Sequence, residues 1–330
     1  MFLQKFKDKK MIWVTGCKGM LGAEICRQLE KNKLAWIGTG SETDITNYEL
    51  LEKFFTSKET ELYPKYHNQP SLDADGGKIK WIINCAAYTN VDKAEEDAEN
   101  AGKLNSLGPE NLARVARAHN AKLIHISTDY VFDGTAGAPI PETAQKNPTG
   151  IYGKTKSAGE DAIMKSMTQY YIIRTAWLYG FDGKNFVYTM TKLFNSHDKI
   201  KVVSDQFGTP TFCGDLADAV IKIILRTMKA KTFFGRNGIP AFGIYNFTDE
   251  GQTDWFSFAK TIYEMEKKLG IISAECEISP CTTEEYAAPA KRPAYSVLDK
   301  TKIQKELKLK IPDWKQSLEF FLKNKKFEPR

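Results

Sequence analysis

A rhythm in the first half of the chain constrains the fold more than any other feature. Short, almost continuous apolar runs alternate with stretches whose apolar residues recur at helical spacing. Met11-Ile12-Trp13-Val14-Thr15 reads as a buried strand, and Met20 to Leu29 as a helix with Leu21, Ile25, Cys26 and Leu29 on one face. Leu34 to Gly38, Trp81 to Cys85, Lys122 to Ile126 and Tyr170 to Arg174 supply four more strands. Ala98 to His119 and the stretch around Tyr152 supply helices between them. Strands apolar on both sides need cover on both faces, which helical crossovers between parallel strands provide. The expected fold is therefore α/β, a doubly wound parallel sheet with right-handed crossovers.

Beyond Gly180 the alternation loosens. Helices are expected at Phe186 to Asn195, Gly214 to Met228, Thr253 to Leu269 and Trp314 to Lys323, with short strands at Lys201 to Val203 and Gly243 to Phe247. Residues 1–180 are assigned mainly to the sheet domain. Residues 181–330 are assigned mainly to a smaller α/β substrate-binding region, some of whose segments return to the main sheet. The polar stretch 56–78 contains Pro64, Pro70 and Gly76-Gly77 and reads as a surface insertion.

Bulk properties exclude several classes. A net charge of +6 with interspersed signs leaves no nucleic-acid footprint. No apolar run approaches the length of a membrane helix, and Met1 to Lys10 does not read as a secretory signal. None of the six cysteines forms a Cys-x-x-Cys pair, so reduced thiols, a cytoplasmic location and no metal site are expected. His125, inside an apolar strand, reads as a satisfied core residue.

Gly16-x-x-Gly19-x-x-Gly22 follows the first strand and opens a helix. Glycines there permit a tight turn and close approach of backbone to a pyrophosphate, and the helix N-terminus favours anions. This is a Rossmann-type dinucleotide turn, which makes Gly16, Gly19, Met20, Leu21 and Gly22 cofactor-binding candidates. The second strand runs into Gly38-Thr39-Gly40-Ser41 with no carboxylate for an adenosine ribose, so the cofactor is NADPH or NADH with a lean toward NADPH. Asp44-Ile45 is read either as an adenine contact or as the approach to a helix N-cap. Small residues after the third strand, Cys85-Ala86-Ala87-Tyr88, let a cofactor lie close. Asn105 is read either as a cap or as a support for the end of the fourth strand.

Tyr152 and Lys156 are four apart on an expected helix, hence on one face. A neighbouring ammonium is expected to lower the phenol pKa. The fourth strand ends in Ser127-Thr128-Asp129, placing a hydroxyl at the edge where such sheets bind ligands. Thr128, Tyr152 and Lys156 are therefore the candidate catalytic set for reducing a carbonyl: a hydrogen-bond donor, a proton donor and a cofactor-binding cation.

Four segments closely resemble the extended short-chain dehydrogenases: the glycine turn, Asn84-Cys85-Ala86-Ala87-Tyr88-Thr89-Asn90-Val91-Asp92-Lys93, Ser127-Thr128-Asp129-Tyr130-Val131-Phe132-Asp133-Gly134, and Tyr152-x-x-x-Lys156-x-x-Gly159-Glu160. Arg174 to Gly180, Asp205 to Thr211 and Lys291-Arg292-Pro293 extend the resemblance over nearly the whole chain. Within that family it points to the branch acting on deoxysugar nucleotides. The resemblance implies reduction of the C4 keto group of a dTDP-4-keto-6-deoxy sugar, dTDP-4-dehydro-6-deoxy-L-mannose, to dTDP-L-rhamnose. It carries sugar contacts onto Thr128, Asp129 and Trp177, and makes Gln206 and Arg292 candidates for the nucleotide end. It leaves a homodimer open. Some members bridge dimers through a metal held by glutamates; Glu24 matches one of these, and no second glutamate is evident. Two other readings stand beside this one: a related nucleotide-sugar reductase or epimerase, and a dinucleotide-binding regulatory subunit without turnover.

Overall fold

A seven-stranded sheet forms the centre of the molecule. Its parallel members are β1 (Met11–Thr15), β2 (Trp36–Thr39), β3 (Ile79–Asn84), β4 (Lys122–Thr128), β5 (Tyr170–Thr175) and β6 (Gly243–Asn246), in the order β6-β5-β4-β3-β1-β2. The seventh, Tyr66–His67, pairs antiparallel with Ile37 and Gly38 at the edge beyond β2. The computed structural model describes residues 11–56, 66–67, 79–229 and 239–324. The rest of the expected insertion lies outside the described residues.

Alternate residues of each strand enter separate cores. Ile12, Val14, Trp81, Ile83, Ile124 and Ile173 pack beneath α1 (Met20–Lys31). Met11, Trp13, Ile37, Ile82, Leu123 and Ile172 pack on the opposite face, against α2 (Tyr48–Thr56), α3 (Gly108–Ala118) and α4 (Ile151–Ser166). Cover on both faces is why these strands are apolar throughout.

The later part of the chain divides. α5 (Phe186–Ser196) joins a third, aromatic-rich core. α6 (Cys213–Lys229) returns to the main sheet and packs against α1, and β6 extends the sheet beside β5. α7 (Trp255–Lys268) and α8 (Trp314–Asn324) complete the third core, which gathers Tyr179, Phe194, Phe212, Phe258 and Phe321. The expected strand at Lys201 to Val203 spans Lys199–Val203 and pairs with Glu277–Cys281. Among the described residues no helix is long and apolar enough to cross a membrane.

One expected helix is broken. Ala98 to His119 divides into Ala98–Gly102, a π-helical turn at Lys103–Leu107, and α3. Pro109, at the start of α3, has no N–H to continue the ladder of the preceding helix.

Candidate active site

Strand order reverses between β1 and β3, and the glycine turn lies at that switch point. Gly16 has φ +66°, and a side chain there would bring its Cβ within 2.7 Å of the Ala86 backbone nitrogen. A Cβ on Gly22 would meet the Gly16 carbonyl oxygen at 2.1 Å. The turn is thus folded tightly onto the Cys85-Ala86 backbone at the end of β3. No side chain caps α1 at Gly19, so its first N–H groups face outward. These features fit a pyrophosphate. Met20 is half-buried against the Gly180–Gly183 segment, and Leu21 is buried beneath the turn. Cys85, Ala86, Ala87 and Tyr88 are all half-buried.

β2 ends at Thr39 with no carboxylate of its own, and the first one follows in the next turn, at Glu42. Glu42 folds back so that its Oε1 accepts the Gly40 N–H at 2.7 Å, while Oε2 pairs with Lys18 of the glycine turn at 3.2 Å. That Gly40 bond, assisted by Lys18, holds the Glu42 carboxyl below its ordinary range. Asp44 is exposed and accepts both the N–H and the hydroxyl of Thr46. Ile45 is buried in the second core, and Asn47 caps α2 through the Leu50 N–H.

Asn105 also departs from expectation. It is fully buried in the π-helical turn, accepts the Tyr88 N–H at 2.9 Å and donates to the Tyr88 carbonyl and the Thr155 hydroxyl. It therefore ties the loop after β3 to α4, not to the end of the fourth strand. Helix α4 approaches this turn so closely that a Cβ on Gly159 would lie 2.1 Å from the Asn105 carbonyl oxygen.

At the carboxyl end of β4, the Thr128 hydroxyl donates to Asp129 Oδ1 at 2.9 Å and lies close enough to the Tyr152 phenol to lower its pKa. Tyr130 meets Tyr152 edge-on, with ring centroids 5.4 Å apart. The expected acidification of Tyr152 is absent. Burial, aided by the Asp129 charge, pushes the phenol up to about 12, and the nearby Thr128 hydroxyl offsets only part of this. Lys156 turns toward β4, donating to the Ile126 carbonyl at 2.7 Å and lying 3.3 Å from His125 Nε2. Burial brings its pKa down to about 8. Asp129 is 2% exposed, and burial lifts its carboxyl to about 6.

A second wall comes from the later part of the chain. Trp177 has φ +48°, unusual for so bulky a side chain, and stacks on Trp255 with centroids 3.6 Å apart and planes within 13°. Gly208 leaves room for it, since a Cβ there would meet the indole at 2.6 Å. Gln206 is buried and donates to Thr283. Arg292 is half-buried, pairs with Asp92 at 2.9 Å and lies close enough to Tyr130 for its charge to be felt there. Asp129 Oδ2 and Arg292 Nε are buried without a hydrogen-bond partner, an acceptor and a donor left unpaired in this part of the molecule.

The expected catalytic set did not include the anchor beneath it. Glu160 accepts Arg174 Nε at 2.9 Å, Arg174 Nη2 at 2.7 Å and the Ser127 hydroxyl at 2.6 Å. Burial alone would raise the Glu160 carboxyl, yet Arg174, Ser127 and Lys146 together hold it low. Glu24 pairs with Arg27, and among the described residues no group of three or more His, Cys, Asp or Glu side chains gathers to hold a metal.

A glycine turn at the switch point and a hydroxyl and phenol brought together at the end of β4 define the short-chain dehydrogenase class. The chain belongs to the RmlD substrate binding domain family, whose model matches residues 10–327. It is 34% identical over 307 residues to a dTDP-4-dehydrorhamnose reductase of Aggregatibacter actinomycetemcomitans, covering 92% of this chain and 96% of that one. Among solved structures it resembles a dTDP-4-dehydrorhamnose reductase from Clostridium acetobutylicum, with a TM-score of 0.80, 39% identity and coverage of 95% and 98%. The Bacillus anthracis dTDP-4-dehydrorhamnose reductase in complex with NADP gives a TM-score of 0.80 at 32% identity, with the same coverage.

Proposed function

We propose that this protein reduces the C4 keto group of dTDP-4-dehydro-L-rhamnose to dTDP-L-rhamnose, using NADPH or NADH. The observation that carries the reading is the meeting of Thr128 and Tyr152 at the carboxyl edge of β4, where the hydroxyl is near enough to act on the phenol's pKa and Tyr130 packs against the Tyr152 ring. The names borne by the relatives supply the substrate class.

Gly16, Gly19, Met20, Leu21 and Gly22 would hold the cofactor's pyrophosphate. Asp44 and Ile45 would lie toward the adenine, and Cys85, Ala86, Ala87, Tyr88 and Lys156 would face the nicotinamide riboside. When bound, the dinucleotide supplies the hydride. Thr128 steadies the carbonyl oxygen, and Tyr152 delivers the proton as charge develops there. A phenol that burial keeps protonated at neutral pH is in the state a reduction needs. Asp129 and Trp177 would contact the sugar, with the indole against its apolar face. Gln206 and Arg292 would face the nucleotide; a guanidinium suits a diphosphate. The substrate region is accordingly the part of residues 181–330 that faces β4.

Loss of NAD(P)H absorbance in the presence of the dTDP-4-keto sugar, compared with UDP-linked analogues, tests the reading. Tyr152→Phe should lower kcat by about 10²–10⁴-fold while dinucleotide binding persists. Equal rates for variant and parent would remove Tyr152 from its role. Tight dinucleotide binding without turnover of any keto sugar would favour a regulatory subunit.

A further inference from the structure

Asn84, His125 and Lys156 form a chain of buried side chains whose polarity one backbone group fixes. The Ala86 N–H donates to Asn84 Oδ1 at 3.1 Å, and the Thr15 hydroxyl donates to the same oxygen at 2.7 Å. A backbone N–H is only ever a donor, so it identifies the oxygen end of the Asn84 amide. Asn84 Nδ2 is therefore the atom 3.0 Å from His125 Nδ1, and it donates. Nδ1 must accept. The imidazole then carries its single hydrogen on Nε2, because an imidazolium would set two N–H groups against each other. Burial likewise pushes the imidazolium form far out of reach.

Nε2–H faces Lys156 Nζ, 3.3 Å away. An ammonium has no lone pair to receive it, whereas a neutral amine has one. The amine's own hydrogen goes to the Ile126 carbonyl. We propose that His125 is a positioning residue that presents Nε2–H to Lys156 and so favours its neutral amine form, turned onto β4, in the ligand-free protein.

The surroundings agree. Two other ionisable groups make their charge felt at Lys156. Glu160, one turn along α4, is committed to Arg174 and Ser127, with Lys146 also at 3.4 Å. Cys85, at the end of β3, is pushed up to about 12 by burial and stays a thiol. Tyr152, on the preceding turn, stays a phenol. None offers Lys156 an unshared negative charge. The consequence for catalysis rests on the reductase reading: Lys156 must gain a proton before it can serve a cofactor as a cation.

The test is nuclear magnetic resonance on the ligand-free protein. Long-range proton–nitrogen spectra of the four histidines identify each tautomer, with His125 assigned by loss of its signals in His125→Gln. The expected result is an Nε2–H imidazole that does not titrate between about pH 5.5 and 9. In protein labelled with carbon-13 at lysine Cε, the signal lost in Lys156→Met should titrate well below the ordinary lysine value of about 10.4. Asn84→Asp reverses the chain: a carboxylate accepts from Nδ1–H, Nε2 becomes an acceptor, and the Lys156 midpoint should rise by about one unit, tenfold in proton affinity. An Nδ1–H tautomer in the parent, or a Lys156 midpoint unmoved in Asn84→Asp, overturns the proposal. The tautomer is read on the parent, so it stands even if a variant misfolds. Failure of every keto sugar to turn over would remove the reductase reading and leave these titrations untouched.

Discussion

Arg174 and Lys156 are buried against the same strand, at 1% and 2% exposure, and their surroundings differ. His125 and Ser127 are two apart on β4, so both face α4. Across the sheet His125 opposes Asn84 on β3, while Ser127 opposes Arg174 on β5. On α4, Lys156 and Glu160 share a face. One rung of this ladder ends in a bidentate ion pair, with two guanidinium nitrogens, Nε and Nη2, on Glu160. The other ends in an amine with no carboxylate of its own. A permanent charge is buried with its counterion, and a base that must change its protonation is buried without one. The first rung secures the helix; the second keeps a proton site close to neutrality.

The largest effect should come from breaking the first rung. Glu160→Gln leaves the Arg174 guanidinium buried without its partner, and we expect a loss of about 3–5 kcal/mol in stability by denaturant unfolding. A loss under about 1 kcal/mol would mean that the two rungs do not differ in the way described.

Asp129 sharpens the contrast, as an acid beside the second rung. Its folded-state pKa lies above the unfolded value, at about 6 against about 3.9. The folded protein therefore binds the extra proton, and the stability this confers is complete below about pH 4 and is lost as pH rises through about 6. Asp129→Asn should stabilise the protein by about 1–3 kcal/mol at pH 8 and by almost nothing at pH 4. Thermal unfolding at the two pH values checks this; an equal effect at both would contradict it.

Lys18 supplies a cation outside both rungs, half-exposed against Glu42. Lys18→Met should raise KM for NADPH about tenfold more than KM for NADH, the size of one charge-assisted contact. Steady-state kinetics with both cofactors decide it, and an equal change in the two would place the 2′-phosphate elsewhere.

What could be read in the residues was a matter of period and type. Continuous apolar runs gave the parallel sheet, because burial on both faces leaves no other pattern. Glycine spacing gave the turn onto Ala86, and the four-residue separation gave a shared face for Tyr152 and Lys156. Direction was not legible. Whether Lys156 points at Tyr152 or at Ile126 depends on which acceptor lies nearer, and that is decided by the packing of α4 on β4. The fall expected in the Tyr152 pKa failed for that reason, since the amine is turned away and nothing offsets the desolvation of the phenol in full. The Glu160–Arg174 pair was present in the motifs, but its closure requires the register of β4 and β5. The alternation of His125 and Ser127 on one strand, matched to Lys156 and Glu160 on one helix, was the signal from which both rungs were available.

The paired indoles at the rim, Trp177 on Trp255, have an optical consequence. Two chromophores this close share their excited states, so the near-ultraviolet circular dichroism of the protein should carry a coupled signature from this one corner. A sugar nucleotide settling against Trp177 would disturb that coupling, making the cleft its own spectroscopic reporter without any added label.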